Sequence, residues 1–162
     1  MRRGGTEIGA ILATVVFSAQ ARSDAEGNAT SEPVVIAKSR ALLAANDTRA
    51  LGELIADDAC FLSPVVHTPQ RGKALTVAYL TAALRVLGNR SFVIRNEWIG
   101  ATSAVLEFEV TVDGIIINGV DMIAWNSDDK ITEFKVMMRP LKAINLLHQR
   151  MAATLEEMQR AS

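Results

Sequence analysis

The stretch TSAVLEFEVTVDGIIINGVDMIAW, residues 102–125, decides the fold. In its first half Leu106, Phe108, Val110 and Val112 recur at every second position, with Glu107, Glu109 and Thr111 between them. A period of two is what a strand with one buried and one wet face requires. Asp113-Gly114 then supplies turn residues, and the chain resumes as a second apolar strand from Ile115 to Trp125. Segments from Phe92 to Gly100 and from Ile131 to Arg139 alternate in the same way, the latter behind the turn sequence NSDDK. The last three of the four strands are therefore expected to form antiparallel hairpins. Near the middle of the third strand stands Asp121, which shares its face with Ile115, Ile117, Gly119, Ile123 and Trp125. A bare carboxylate there costs several kcal/mol, roughly, unless it is paired, hydrogen-bonded or protonated. Two readings stay open: a ligand-facing acid, or a structural aspartate held by backbone amides or by Arg139 or Arg95.

Upstream the period is that of a helix. Behind Pro33, apolar residues at 34, 37, 41, 44 and 45 predict a first helix that stops near Asn46. Asp47 is placed to cap a short second helix bearing Leu51, Leu54 and Ile55, followed by a strand in DDACFLSP. Leu75, Ala78, Tyr79, Ala82, Ala83 and Val86 predict a third helix that Gly88 terminates. After Pro140, the stripe Leu141, Ile144, Leu147, Met151, Leu155 and Met158 predicts a final helix of about 18 residues within 141–160, packed on the domain or on a partner. Three helices followed by an antiparallel sheet make an α+β domain spanning 33–140, with a helix-lined concavity over the sheet where a small molecule can sit.

Composition narrows the partners. Seventeen basic and eighteen acidic side chains give a net charge of -1, and without a basic footprint no nucleic-acid partner is expected. Cys60 is the single cysteine, read as an inert buried thiol, and two distant histidines, His67 and His148, give no expectation of a metal site. No cofactor is expected. The first 21 residues carry Arg2 and Arg3, an apolar segment from Ile8 to Ala19 and the small-x-small site Ala19-Gln20-Ala21. This is signal-peptide grammar: cleavage after Ala21, a periplasmic or secreted mature chain without a membrane span, and a flexible linker over 22–32; an intact N-terminus would leave the protein cytoplasmic.

The stretch LLAANDTRALGELIADDACFLSPVVHTPQRGKALTVAYL (residues 42–80) and the closing DMIAWNSDDKITEFKVMMRP (121–140) resemble the nuclear transport factor 2-like superfamily, and within it the SnoaL-like proteins. The resemblance implies a cone of curved, mostly antiparallel sheet wrapped around three helices, plus the C-terminal helix. It says little of function, because that fold hosts isomerases, cyclases, hydrolases and non-catalytic binding domains. Matched to the ketosteroid isomerases, Ser39 falls where those enzymes have an oxyanion-binding tyrosine, Ser63 where they have the base, and Asp121 where they have a protonated aspartate. With two of three groups missing, ordinary 3-ketosteroid isomerisation is not expected. Val136 stands where the related cyclases and epoxide hydrolases carry an acid.

These comparisons give a small apolar or carbonyl-containing molecule as the expected ligand. Asp121 is the candidate acid and His67, in the loop before the third helix, the candidate base. Tyr79, Trp98, Trp125, Phe134, Val136, Met138 and Ser63 are the candidate ligand-lining residues. The resemblance also implies that the wet face bearing Glu107 and Glu109 meets a second copy in a homodimer. The rival to an enzyme is a non-catalytic ligand-binding or dimerising module.

Overall fold

A computed structural model describes residues 32–45 and 48–161 of the 162-residue chain. The expected signal peptide, the linker up to Ser31, and the helix stop and cap at Asn46 and Asp47 lie outside the described residues. Helix α1 (Val34–Ala45) and the short α2 (Thr48–Leu54) lead directly into strand β1 (Ile55–Leu62). A two-residue strand β2 (Gln70–Arg71), helix α3 (Lys73–Leu87), strands β3 (Val93–Ile99), β4 (Ser103–Val112), β5 (Ile115–Trp125) and β6 (Ile131–Arg139), and helix α4 (Leu141–Arg160) follow.

The strands form one six-stranded sheet in the order β2-β1-β6-β5-β4-β3. All neighbours are antiparallel except β1 and β6. The parallel pair explains the position of α3. A parallel connection needs a crossover rather than a tight turn, and the chain between β1 and β6 holds α3 and four more strands. Strand β1 lies between α2 and α3, where DDACFLSP was expected to form a strand, and joins the same sheet as the later strands. Ile55, expected on the second helix, opens β1 with 1% exposure, and the tiny β2 carried no signal in the sequence.

The turn between β4 and β5 adopts the conformation that its residue types favour. Asp113 and Gly114 have φ of 49° and 74°, the left-handed pair of a two-residue hairpin. The hairpin register pairs Leu106 with Asp121 and Phe108 with Gly119. Gly119 is required by that second pairing: an added Cβ would sit 2.5 Å from Cζ of Phe108. The ring instead lies over the bare glycine and stacks on Phe92 with centroids 5.3 Å apart.

One side of the sheet carries the core. Phe108, Val110, Ile117, Ile123, Ile131 and Val136 are buried there together with Val35 and Ile36 of α1 and Leu80 and Ala82 of α3. Helix α4 turns Ala143, Leu147 and Met151 inward and leaves Leu141 72% exposed, so the final helix packs on its own domain through part of the expected stripe.

Strand β3 departs from simple alternation, with consequences for the site. A bulge between Ile94 and Asn96 shifts the register, so that Ile94 opposes Phe108 but Glu97 opposes Leu106 and Trp98 opposes Val105. An inserted residue reverses which side chains face in. Trp98, expected in the core or the ligand wall, is therefore turned to the outer face and is 56% exposed. Glu97 takes the inner position.

Candidate functional site

Asp121 lies at the centre of the inner face, between Leu106 on β4 and Val136 on β6. Ile123, Trp125, Phe134 and Met138 continue that face along β5 and β6, which is where alternation had placed them. Tyr79 reaches down from α3 onto Phe61, ring centroids 5.3 Å apart, and Phe61 stacks in turn on Phe134 at 6.2 Å. The sheet and two helices thus surround Asp121 with hydrocarbon and aromatic carbon, yet the residue is only half-buried and solvent still touches it.

No hydrogen bond or charged group partners the Asp121 side chain among the described residues. The two arginines that would have made it a structural aspartate are elsewhere. Arg95 pairs with Glu109 at 2.6 Å, and Arg139 sits opposite Asn118 on the outer face. Burial alone acts on Asp121, and it pushes the carboxyl from its ordinary 3.8 up to about 7. An acid in that range is largely protonated just below neutrality and donates a hydrogen bond.

The other expected polar residues are either engaged with backbone groups or exposed. His67 is exposed in the loop between β1 and β2, and nothing among the described residues joins it to Asp121. Ser63 accepts a hydrogen bond from the amide of Val65 at 3.2 Å. Ser39 donates to the carbonyl of Val35 at 2.8 Å, a bond back along its own helix that engages the hydroxyl. Cys60 is half-buried on β1. Among the described residues no three His, Cys, Asp or Glu side chains converge as a metal site would need, and no helix is long and apolar enough to cross a membrane.

Two residues that sequence reasoning passed over, Glu97 and Arg40, meet on the inner face two strands away from the acid. Glu97, facing in because of the β3 bulge, accepts from Nη2 of Arg40 on α1 through both carboxylate oxygens, each at 2.7 Å. Nε of Arg40 donates to Glu32 at 2.7 Å. Burial works against the guanidinium's charge, but the hydrogen bonds and the charges of Glu97 and Glu32 outweigh it and hold Arg40 above its ordinary value. A cleft of about 270 Å³, lined by Arg85, Val86, Val112, Asp113, Arg150 and Thr154, opens between α3, the β4–β5 turn and α4, and contains none of the residues around Asp121.

A family model described as the SnoaL-like domain matches residues 36–134. No curated protein matches the chain. Among solved structures, it is similar to a steroid delta-isomerase from Pseudomonas aeruginosa, with 30% identity, a TM-score of 0.74, and coverage of 80% of this chain and 99% of that one. It is similar to a protein with a cystatin-like fold from Silicibacter pomeroyi at 27% identity and a TM-score of 0.70, covering 76% and 86%. A nuclear transport factor 2-like protein of unknown function from Cytophaga hutchinsonii, 12% identical with a TM-score of 0.54 over 73% and 98%, shares the fold.

Proposed function

Because the chain belongs to the SnoaL-like domain family, we propose that it binds a small, largely apolar carbonyl compound on the concave face of its sheet and moves a proton on it, with Asp121 presenting a hydrogen bond to the carbonyl oxygen. One observation carries this reading. Asp121 is an unpartnered acid, touched by solvent, in surroundings otherwise made of carbon, with its carboxyl pushed up to about 7. A group with those properties contributes nothing to packing, but a neutral carboxylic acid in an apolar pocket is a strong donor toward a developing oxyanion. Ketosteroid isomerases use a neutral aspartic acid in this way, and the similarity to a steroid delta-isomerase supports the reaction class. It does not extend to the steroid reaction itself, because Ser39 and Ser63 stand where the matched family has its second donor and its base. Two copies are proposed to associate through the outer face of the sheet, where Trp98 and Met137 are 56% and 53% exposed.

Binding of 2-tetralone, an apolar aromatic ketone, tests the reading by thermal shift. Stabilisation should be larger at pH 5.5 than at pH 8.5, since only protonated Asp121 donates to a ketone, and should vanish in Asp121→Val. Equal stabilisation of wild type and variant at both pH values would remove Asp121 from the site.

A further inference from the structure

The geometry points to Glu97 as the proton acceptor of this site, working across Leu106 from Asp121 on a ketone bound between them. The inference rests on the reading of Asp121 given above and adds the group that reading lacks.

The strand register carries it. Glu97 opposes Leu106 and Leu106 opposes Asp121, so the two carboxyl groups stand in one cross-strand row on the same face. Two strand spacings put their Cα atoms about 10 Å apart, and on the concave side of a curved sheet the side chains lean toward each other. The bond from Arg40, a residue of the helix that covers this face, confirms which way Glu97 points. Its side chain is 19% exposed, enclosed but reachable. Ser63 lies one residue beyond the pairing of Leu62 with Lys135, which places it beside Val136, two strands from Asp121 on the other flank. The carboxylate missing at Ser63 is thus matched by one at the same strand separation on the opposite side of β5.

Glu32 gives the arrangement its charge balance. Arg40 lies between two carboxylates, so when Glu97 takes up a proton the guanidinium keeps Glu32 as its counter-ion. Because both oxygens of Glu97 accept from the same Nη2, one of them can leave that bond while the other holds the side chain in place. In the step itself Glu97 removes a proton from the carbon next to the carbonyl. The C–H electron pair becomes a C=C bond, the carbonyl π pair moves onto oxygen, and the enolate oxygen accepts the hydrogen bond of Asp121. Return of the proton from Glu97 to carbon restores the ketone. In heavy water the proton on the Glu97 carboxyl exchanges with solvent before the return, and the atom delivered to carbon is deuterium.

Exchange of the α-hydrogens of 2-tetralone in D2O, followed by proton NMR with binding measured on the same samples, tests the assignment. The wild type should exchange faster than buffer, and Glu97→Gln, which can still bond to Arg40, should bind 2-tetralone within about threefold of wild type while its exchange falls at least about 100-fold, the lower range of general-base effects. Added formate should restore part of the exchange in Glu97→Ala, as it would for a missing base and not for a missing anchor. Wild-type exchange at the buffer rate, or undiminished exchange in Glu97→Gln, overturns the role of Glu97 and leaves the binding role of Asp121 standing. A parallel loss of affinity and exchange without formate rescue makes Glu97 an anchor for α1 and overturns the proposal as well. Failure of the wild type to bind 2-tetralone removes both readings together.

Discussion

Replacing Asp121 by asparagine should make the protein more stable at pH 8 and change it much less at pH 5. The folded protein holds the Asp121 proton up to about 7, whereas the unfolded chain releases it near the ordinary 3.8. Between these values the folded state binds more protons than the unfolded state, so stability falls as pH rises through the window: the full contribution is present below the unfolded value and is gone above the folded one. A shift of about three units at 1.36 kcal/mol each sets a ceiling of about 4 kcal/mol on the loss, and solvent contact at the half-buried site lowers it. Some of that loss has already occurred at pH 5. From pH 5 to pH 8 the wild type should therefore lose about 2 to 3 kcal/mol relative to Asp121→Asn, which matches the shape of the protonated acid and has no proton to release. Urea melts of both proteins at the two pH values read the difference directly, and every other titrating group cancels in the comparison. An asparagine variant less stable than wild type at pH 8, by the roughly 3 to 5 kcal/mol that breaking a buried ion pair removes, would refute the reasoning and identify a cation beside Asp121.

Gly119→Ala should lower stability by about 1 to 3 kcal/mol in the same melts, because the new methyl would stand 2.5 Å and 2.8 Å from ring atoms of Phe108 and 3.0 Å from the carbonyl oxygen of Met137. An unchanged midpoint would mean that the Phe108 ring moves freely despite its stack on Phe92. On the outer face, sedimentation velocity should show wild type as a dimer and the double variant Trp98→Lys, Met137→Lys as a folded monomer, since two added charges on each copy oppose burial of that patch. A monomeric wild type at micromolar concentration would end the proposal that this face pairs two copies.

Most of the fold was legible because it rests on periodicity. The alternation of Leu106, Phe108, Val110 and Val112 fixed the inner face of β4, the Asp113-Gly114 turn fixed the register of β5 against it, and that register put Asp121 inward. Pro140 and Gly88 marked the ends of β6 and α3 where their backbone constraints require. The parallel pairing of β1 with β6 was not legible, because a non-local pairing leaves no mark on the spacing of either strand. The bulge in β3 was invisible for a related reason. Val93, Ile94, Trp98 and Ile99 are all strand formers, and no glycine announces the extra residue, so simple alternation assigned Trp98 inward and passed over Glu97. Arg40 was hidden with it: an arginine on a helix is ordinarily a solvated charge, and only the inward Glu97 gives it a reason to lie over the sheet.

The two carboxyl groups on the inner face are held in opposite ways, and the contrast bears on why the site keeps both. Glu97 faces a guanidinium that makes two 2.7 Å bonds to it, an arrangement that ties α1 to β3. Asp121 has hydrocarbon neighbours above and on both strands, an arrangement that favours the neutral form and lowers stability wherever the group must ionise. Packing alone would be better served at position 121 by a valine or leucine, which would fill the same row beside Leu106 and Val136 without any pH-dependent loss. A cationic partner for Asp121 would also have removed the penalty, and the sheet carries two candidates, since Arg95 and Arg139 stand on strands β3 and β6 but face outward. A carboxylic acid kept neutral and an ion-paired carboxylate in one row divide the work of donor and acceptor between them. That division, rather than either group singly, is what makes proton transfer the chemistry the inner face supports best.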